Sequence, residues 1–583
     1  MTSVRLRIVA PILAGLRRRL RTSEAALIAL ALVLGSCAGL MTMAQAGIAH
    51  MMQRVLYGIG SDDRLSAQST IDPIRLIALP VGGIALGLFI YYARNRRRAP
   101  IDVVEANALH GGVIPMRDSL TVSAQTLVSN GAGASVGLEA AYAQMAGGVA
   151  SVVGQWLRLR RNDLRILVGA CAGAGVGAAF GAPLTGAFYA FEIVIGAYTP
   201  AAIAPVATAA LAAAVTVRAL GLPAYLIVLP TADPIVSSDY FLYAALGLIC
   251  ALVGIVIMQA VTVMEAMVRR SPIPDLARPF VGALLLVPIA LITPQTLSAG
   301  HGALHLDLTM KVSMSFLAIV FGLKIAASVI SLGFGFRGGL FFASLFIGSI
   351  TGQLFAGLVN LIPGASLVNG NDAALIGMAA LAVAIVGGPI TMSMLVLEAT
   401  HDFALTSTAI TASLCASTLV RETFGFSFST WRLHTRGETI RSARDVGWVR
   451  NLTAGRMMRR DTPTIEETAS FAEFRRRFPL GSVRVVTATD ETGAYAGIIR
   501  VSTAFATDHK EDEPVSGIAQ LQDATLTADR DVSAIMRLFE EKEVDELAVV
   551  DRDGHLLGVV TEKYVRRRYT EEIEKAQKEL FGD

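Results

Sequence analysis

A succession of apolar segments, several of them long enough to cross a lipid bilayer, occupies residues 24–431. The whole chain is 53% hydrophobic and only 17% charged. A soluble protein of 583 residues does not need so much apolar surface to form its core. We therefore expect an all-α, polytopic membrane domain over 24–431, preceded by a basic cytoplasmic N-terminus over 1–23.

Basic residues suggest the orientation of this domain. They cluster before the first predicted span, 24–52, and again at 94–98, directly after the second span, 72–93. Because cytoplasmic loops are enriched in Lys and Arg, and because two crossings separate the clusters, both clusters are expected on the cytoplasmic side. Further long spans are predicted at 239–268, 279–297 and 314–333.

Between the long spans, glycine divides the sequence into apolar pieces, several of which are too short to cross a bilayer. These pieces fill two regions, about 104–223 and about 314–423. Short apolar helices that meet near the middle of the bilayer are typical of transporters built from inverted repeats. The pattern therefore predicts an internal repeat of broken helices.

Two short motifs support a duplication. The segment 181–185 reads Gly-Ala-Pro-Leu-Thr, and the segment 387–391 reads Gly-Gly-Pro-Ile-Thr. A glutamate, Glu192 or Glu398, follows nine residues after the proline in each copy. Similar features in the same order indicate related halves. At equivalent places in both repeats, we expect the two glutamates to accept hydrogen bonds from nearby backbone N–H groups rather than to handle ions.

A third glutamate lies in the stretch 129–142, which is rich in Gly, Ala and Ser. Because a charge deep in a membrane is costly, Glu139 is a candidate functional residue. Small residues before it favour a backbone bend and a new helix start, whose free N–H groups and positive dipole end attract anions. We expect a permeating anion at this position, in competition with the Glu139 carboxylate.

The chain becomes polar and charged after residue 431. Residues 432–449 are predicted to form a linker to a soluble α/β domain with two similar modules, 450–507 and 515–570, and a charged tail, 571–583. Each module contains an amphipathic helix followed by a strand–turn–strand segment. The glycines that mark the second strands, Gly497 and Gly558, are 61 residues apart.

Three loops carry a resemblance to the CLC family of chloride channels and proton/chloride exchangers. They read Gly-Gly-Val-Ile-Pro at 111–115, Gly-Leu-Glu-Ala-Ala at 137–141 and Gly-Leu-Phe-Phe-Ala at 339–343. Residues 450–570 are similar to a pair of cystathionine-β-synthase (CBS) modules. The resemblance implies a homodimer with a separate chloride pathway in each subunit, located in the bacterial inner (plasma) membrane with the CBS pair in the cytoplasm.

The resemblance also implies functional residues. Glu139 is expected to act as the gate. The residues expected to bind the anion lie on the three loops and near the last membrane helix: Gly111, Gly112, Val113, Ile114, Leu138, Ala140, Leu340, Phe341 and Ser429. Gly112 stands where the family has a coordinating serine, and Ser429 where it has a coordinating tyrosine. Backbone N–H groups are therefore expected to be the main donors.

Coupling to protons depends on another position. Exchangers of the family carry a relay glutamate in the helix that follows the segment equivalent to 181–185, directly after the first acidic residue of that helix. Here the first acidic residue is Glu192, and Ile193 follows it. An aliphatic side chain cannot carry a proton, so we expect a passive channel or an uncoupled transporter. The alternatives are a proton-coupled chloride exchanger on the same scaffold and, in a different class, a CBS-containing divalent-cation transporter.

Other ligands and activities are expected to be absent or secondary. No metal centre is expected, since the four cysteines lie far apart in apolar segments. No resident cofactor or nucleic-acid partner is expected, and no enzymatic activity, because the spans lack a plausible His/Asp/Ser constellation. CBS pairs can bind adenine nucleotides, and Thr561 matches the hydroxyl position of that motif. Tyr564 occupies the place of the acidic residue that holds the ribose.

Overall fold

The structure is a computed structural model that describes residues 17, 19, 23–93, 100–221, 235–310, 312–363, 368–435, 452–506 and 509–581. The chain divides into two compact units, Met1–Asp445 and Val446–Asp583, each of which is considered by itself. Most of the predicted N-terminal segment and of the linker 432–449, and the basic run 94–98, lie outside the described residues.

The described part of the first unit is helical. Its helices are α1 (Glu24–Tyr57), α2 (Ala78–Ala93), α3 (Val103–Leu109), α4 (Met116–Gly131), α5 (Glu139–Trp156), α6 (Arg161–Phe180), α7 (Pro183–Tyr189), α8 (Pro200–Ala219), α9 (Ser237–Arg270), α10 (Arg278–Ile292), α11 (His301–Thr309), α12 (Met314–Gly333), α13 (Phe341–Val359), α14 (Gly370–Val386), α15 (Pro389–Thr400), α16 (Phe403–Thr423) and α17 (Phe428–Thr435). A π-helical turn, Ala190–Ile195, follows α7.

Within the described residues, eight helical segments are long and apolar enough to span a bilayer, and several shorter apolar helices lie between them. The predicted all-α polytopic fold is confirmed, including the short helices in both repeats. The structure adds α3, α11 and α17, which the hydropathy pattern did not separate from their neighbours.

Glycine and proline produce the same helix break in both repeats. Gly181 follows α6 with a φ of 65°, and Gly387 and Gly388 follow α14 with φ values of 89° and 73°. Left-handed backbone of this kind favours glycine. Pro183 and Pro389 then occupy the first turn of the next helix, where a missing N–H costs little.

Close helix packing depends on small residues. A Cβ atom on Gly173 of α6 would collide with the carbonyl oxygen of Gly186 in α7, and one on Gly348 of α13 would collide with the carbonyl oxygen of Gly377 in α14. Small residues let helix backbones approach closely in membranes, where van der Waals packing drives association. This packing buries α6 almost entirely, with 89% of its apolar stretch inside the protein.

The second unit contains two similar α/β modules. Its elements are α18 (Ala454–Met457), β1 (Thr464–Glu466), α19 (Phe471–Arg477), β2 (Val485–Thr489), β3 (Tyr495–Arg500), α20 (Val501–Ala506), β4 (Thr525–Thr527), α21 (Val532–Lys542), β5 (Glu546–Val550), β6 (Leu556–Thr561) and α22 (Glu562–Phe581). Each module has one three-stranded sheet, with a parallel pair followed by an antiparallel hairpin. The predicted strand–turn–strand segments are thus present in both modules.

Candidate functional site

Two helix starts meet inside the membrane unit. The N–H of Gly137 donates to the carbonyl oxygen of Gly339 at 2.9 Å, and the N–H of Gly339 donates to the carbonyl oxygen of Gly137 at 3.2 Å. Two residues after each glycine, α5 begins at Glu139 and α13 begins at Phe341. This pair of hydrogen bonds therefore holds the positive ends of two helix dipoles side by side.

Serine side chains fix both bends in a repeated pattern. The N–H of Ser135 donates to Ser331 Oγ at 3.0 Å, and the N–H of Arg337 donates to Ser129 Oγ at 3.0 Å. Ser331 belongs to α12 of the second repeat and braces the bend of the first, whereas Ser129 belongs to α4 of the first repeat and braces the bend of the second. The equivalent residues Ser129 and Ser331 are 202 positions apart. The two loops therefore brace each other with an approximate two-fold relation, as the sequence repeat predicts.

Glu139 lies at this junction. Its side chain is only 2% exposed, and Oε2 has no hydrogen-bond partner among the described residues. The carboxylate folds back over the backbone of Gly137 and Gly339. Its Oε2 is so near that a Cβ atom on Gly137 would collide with it, and a Cβ atom on Gly339 would lie 3.8 Å from it. The N–H groups of Glu139 and Phe342 interact favourably with the carboxylate. A carboxyl group thus occupies the space in front of the two helix starts.

Four of the predicted anion-binding residues are brought together here. Leu138 and Leu340 are the residues directly before α5 and α13, and both are buried. Ala140 and Phe341 belong to the first turns of these helices. Since the first N–H groups of a helix have no partner within it, this arrangement offers converging backbone donors.

The loop 111–115 is not part of this arrangement. The Ser151 hydroxyl donates a hydrogen bond to the carbonyl oxygen of Gly112 at 2.7 Å, and Ser151 Oγ accepts one from the N–H of Ile114 at 2.8 Å. Ser151 is twelve residues beyond Glu139 in α5, which corresponds to about 18 Å along a helix axis. The structure therefore does not bring the predicted residues Gly111, Gly112, Val113 and Ile114 together with Glu139.

Ser429 lies in α17, at a cavity whose wall does not include Glu139. It lines a cavity of about 610 Å³ whose wall also contains Val104 of α3, Glu192 and Ile193. Ile193 occupies the π-helical turn after α7, so the predicted relay position presents an aliphatic residue to this cavity.

Glu192 and Glu398 have the structural role expected from the repeat. Glu192 accepts hydrogen bonds from the N–H groups of Ile390 and Thr391 at 3.2 and 2.8 Å. Glu398 accepts from the N–H groups of Leu184 and Thr185, both at 2.8 Å. Both carboxylates thereby satisfy the first turns of α15 and α7, and the geometry does not group them with Glu139 as cation ligands.

Sequence reasoning missed two buried polar residues. Lys324 of α12 is fully buried, and its Nζ donates to the carbonyl oxygens of Thr296 and Ser298 at 3.1 and 2.8 Å. Tyr189, the last residue of α7, packs its ring 6.1 Å from that of Phe341. A lone lysine in the apolar segment 314–333 is a signal that could have been read from the sequence. A tyrosine among apolar residues is not.

Thr561 lines a cavity of about 230 Å³ in the second unit. Arg459, Arg484 and Glu546 contribute to the same wall. Burial raises the pKa of the Glu546 carboxyl, while Arg484 and Arg459 act in the opposite direction. The cavity thus combines cationic side chains with hydroxyl and carboxyl groups, a set that suits a phosphorylated ligand.

Comparison with known proteins identifies the family. Residues 81–421, more than half of the chain, match the family model described as voltage gated chloride channel. The chain belongs to this family. Residues 515–571 of this CLC protein match the CBS domain model, over the second predicted module.

The CLC protein is similar to several curated bacterial proteins. A putative chloride channel protein ClcB-like of Ralstonia nicotianae is 29% identical over 386 residues, which cover 65% of this chain and 89% of the relative. The voltage-gated ClC-type chloride channel ClcB of Escherichia coli O157:H7 is 27% identical over 403 residues, which cover 66% and 93%. A chloride/fluoride channel protein of Pseudomonas syringae pv. tomato is 29% identical over 245 residues, which cover 42% and 52%.

Solved structures share the fold. A slow cyanobacterial Cl−/H+ antiporter superimposes with a TM-score of 0.60 at 22% identity, over 70% of this chain and 97% of the antiporter. A eukaryotic CLC transporter covers 95% of this chain with a TM-score of 0.58 at 18% identity. These likenesses support a CLC fold for the membrane unit.

Proposed function

We propose that this CLC protein moves chloride or a similar small anion across a membrane, and that the Glu139 side chain gates the pathway. The observation that carries the proposal is the pair of hydrogen bonds between Gly137 and Gly339, which places two helix starts around one buried carboxylate. The names of the curated relatives, which describe chloride and chloride/fluoride channels, support the choice of ion.

Helix starts suit an anion that must also leave. An anion loses much hydration free energy on entering a low-dielectric protein. Several N–H donors, each contributing about 1.5–3 kcal/mol to an anion, and helix dipoles, each contributing about 0.3–2 kcal/mol, offset much of this loss. A full positive charge at the same point would hold the ion more tightly, whereas conduction requires sites that an ion can leave.

Glu139 supplies the gate because its ionised carboxylate is itself an anion. In the structure it lies in front of both helix starts, where a permeating anion would have to bind. Protonation removes the charge, so the side chain no longer competes for the N–H groups and is free to swing away. Flux through the pathway should therefore depend on pH through this residue.

We favour passive or uncoupled transport over proton-coupled exchange. Ile193 stands at the relay position and lines the cavity that also contains Glu192. The Glu192 carboxylate already accepts hydrogen bonds from two N–H groups and one hydroxyl group of α15, so its oxygens are engaged in capping that helix. The proton-coupled exchanger is the alternative, and a solved antiporter shares the fold.

A liposome assay tests these proposals. The purified full-length protein is reconstituted, and chloride efflux and external pH are recorded together. We expect chloride efflux without stoichiometric proton uptake; counterflow at a fixed ratio would instead establish the exchanger. Glu139→Gln should give flux that does not depend on pH, and flux that stays steeply pH-dependent in this variant would reject the gate.

Asp307 offers a matched control for Glu139. It is likewise 2% exposed, and its Oδ2 also lacks a hydrogen-bond partner within the described residues, but it belongs to α11. Asp307→Asn should leave the pH dependence of flux intact. A loss of pH dependence in both variants would mean that neutralising any buried carboxylate disturbs transport.

We further propose that the protein is a homodimer in the bacterial inner membrane, with the N-terminus and the CBS pair in the cytoplasm. The family resemblance and the basic residues near the first span support this arrangement. Analytical ultracentrifugation in detergent should give the mass of two chains. Dimers that contain one Glu139→Gln subunit should keep one pH-dependent pathway and gain one pH-independent pathway.

For the second unit we propose adenine-nucleotide binding at the cavity that contains Thr561. Arg459 and Arg484 can hold phosphate oxygens, and Glu546 can accept hydrogen bonds from ribose hydroxyls. Titration calorimetry of the full-length protein with ATP, ADP and AMP should show binding that Arg484→Gln weakens. Arg552→Gln, a substitution of an exposed arginine in the β5–β6 turn, is the control. The absence of heat with all three nucleotides would remove the proposal.

A further inference from the structure

Tyr189 is a buried tyrosine whose hydroxyl group has no hydrogen bond to any described residue. The residue is 8% exposed, so more than nine-tenths of its surface is enclosed. It ends α7, at the junction with the π-helical turn Ala190–Ile195. A hydroxyl group without a protein partner is available to donate a hydrogen bond to a ligand.

The neighbours of Tyr189 belong to the candidate anion site. Its ring centroid lies 6.1 Å from that of Phe341, the first residue of α13. The Phe341 ring also contacts Phe180 of α6 at 5.4 Å, which fixes its position. Glu139 is a charged group close enough to the Tyr189 hydroxyl to interact with it electrostatically, and Asp102 is another. The phenol therefore packs beside Phe341, the first residue of one of the two helix starts.

We propose that the Tyr189 hydroxyl donates a hydrogen bond to the anion held between the starts of α5 and α13. This inference rests on the proposed function and adds a side-chain ligand to the backbone donors. A phenol suits the task, because it is a neutral donor that binds an anion without the strong attraction of a full charge.

The proposal also accounts for the donor set of this chain. The loop 111–115, expected to supply a ligand, is anchored to Ser151 and lies away from Glu139. Ser429 lines a cavity whose wall does not include Glu139. Tyr189 packs against Phe341 and interacts electrostatically with Glu139, whereas the Ser344 hydroxyl, which also contacts Phe341, already donates to the Phe341 carbonyl oxygen.

Chloride binding to the purified full-length protein tests the inference. Titration calorimetry is performed on Glu139→Gln, in which no carboxylate competes with the ion, and on the same protein with Tyr189→Phe added. The ring and its packing are retained, so only the hydroxyl donor is lost. We expect the Kd for chloride to rise about ten- to a hundredfold, the loss expected for one hydrogen bond to a charged group.

Tyr243 of α9 provides the matched control. It is 4% exposed, and its hydroxyl also forms no hydrogen bond in the described part of the chain, but its charged neighbours are Asp372 and Asp239. Tyr243→Phe should leave the Kd for chloride unchanged. A Kd that Tyr189→Phe changes by less than twofold would overturn the inference alone, because the backbone donors would then suffice.

The measurements distinguish a failure of the proposed function from a failure of the role of Tyr189. If Glu139→Gln binds no chloride and liposomes carrying it release none, the proposed function is wrong and the role of Tyr189 falls with it. If chloride binds and moves but Tyr189→Phe and Tyr243→Phe weaken binding equally, Tyr189 is no specific ligand. Thermal unfolding midpoints of all variants in detergent separate a lost ligand from a lost fold.

Discussion

Glu192 and Glu398 hold each other's helices. Glu192, at the end of the α7 segment, accepts hydrogen bonds from the first turn of α15, and Glu398, near the end of α15, accepts them from the first turn of α7. The threonine hydroxyls of the two turns, on Thr391 and Thr185, each add a bond of 2.7 Å. These reciprocal helix caps hold the two repeats together at the point where the helices of each repeat are interrupted.

Neutralising either carboxylate should therefore destabilise the membrane unit by a similar amount. Glu192→Gln and Glu398→Gln each exchange one accepting oxygen for an NH2 group that faces N–H donors. We expect a loss of about 1.5–3 kcal/mol in each case. Thermal unfolding in detergent measures it, with Glu265→Gln on α9 as the control, a half-buried glutamate expected within about 0.5 kcal/mol of wild type. Strongly unequal losses would argue against equivalent roles.

Gly137→Ala should open the gate without altering the charge of Glu139. A Cβ atom at this position would collide with the Glu139 carboxylate, which is the far end of a flexible side chain. The carboxylate should move away from the helix starts, and chloride flux at neutral pH should rise several-fold in the liposome assay. Gly47→Ala in α1 is the control, because its Cβ atom would have no neighbour within 4 Å.

An unchanged or lower flux in Gly137→Ala would contradict this account of the closed state. The variant must therefore be shown to retain its unfolding midpoint, since Gly137 also forms the hydrogen-bonded pair with Gly339. Adding Glu139→Gln provides a second comparison. If Gly137→Ala acts by displacing the carboxylate, it should have little further effect once that carboxylate is neutral.

The serines that brace the two bends should be equivalent as well. Ser129→Ala and Ser331→Ala each leave a loop N–H, that of Arg337 or Ser135, without its acceptor. Each should cost about 1–3 kcal/mol, because the donors left unpaired are buried or partly buried. Ser413→Ala is the control, since Ser413 is fully buried but its Oγ has no partner in the described structure. Equal melting midpoints for all three variants would show that the braces contribute nothing.

Much of the fold follows from local sequence. Predicted helices at 163–180 and 389–399 correspond to α6 and α15 within about two residues, because glycine and proline mark the breaks between apolar segments. The meeting of the two Gly-rich helix starts also follows, since the repeat placed Gly137 and Gly339 in equivalent positions.

The remaining features depend on contacts between distant parts of the chain. The loop 111–115 has the composition of an anion-binding loop, but Ser151 and the start of α6 determine where it lies. The position of Tyr189 beside Phe341 likewise results from packing between repeats, 152 residues apart in sequence. Hydropathy and local motifs carry no information on such contacts, because they describe a segment and not its neighbours.

The hairpin turns of the second unit contain equivalent aspartates, Asp490 and Asp551, which are 61 positions apart. Asp490 Oδ1 accepts hydrogen bonds from the N–H groups of Thr492 and Ala494 at 2.9 and 2.8 Å. Asp551 Oδ1 accepts from those of Asp553 and His555 at 2.9 and 2.8 Å. These bonds favour the ionised carboxylates.

The pKa values of Asp490 and Asp551 are consequently lowered in the folded protein. The largest cause is the hydrogen bond from the Thr492 hydroxyl for Asp490 and the hydrogen bond from the His555 N–H for Asp551. A lowered pKa stabilises the folded turn above the carboxyl's unfolded pKa, about 3.9, and this contribution disappears as the pH falls through the folded pKa. Hydrogen exchange of full-length protein between about pH 2 and 7, corrected for intrinsic rates, should show both hairpins losing protection at the acidic end.

Asp490→Asn should remove this acid-induced loss from the β2–β3 hairpin and leave it in the β5–β6 hairpin, because asparagine keeps an accepting oxygen but does not titrate. Glu491→Gln, in the same turn and exposed, is the control and should behave as wild type. Loss of protection that persists unchanged in Asp490→Asn would place its origin in another carboxyl group. Asp551→Asn should give the reciprocal result, which ties the acid response of each module to a single turn.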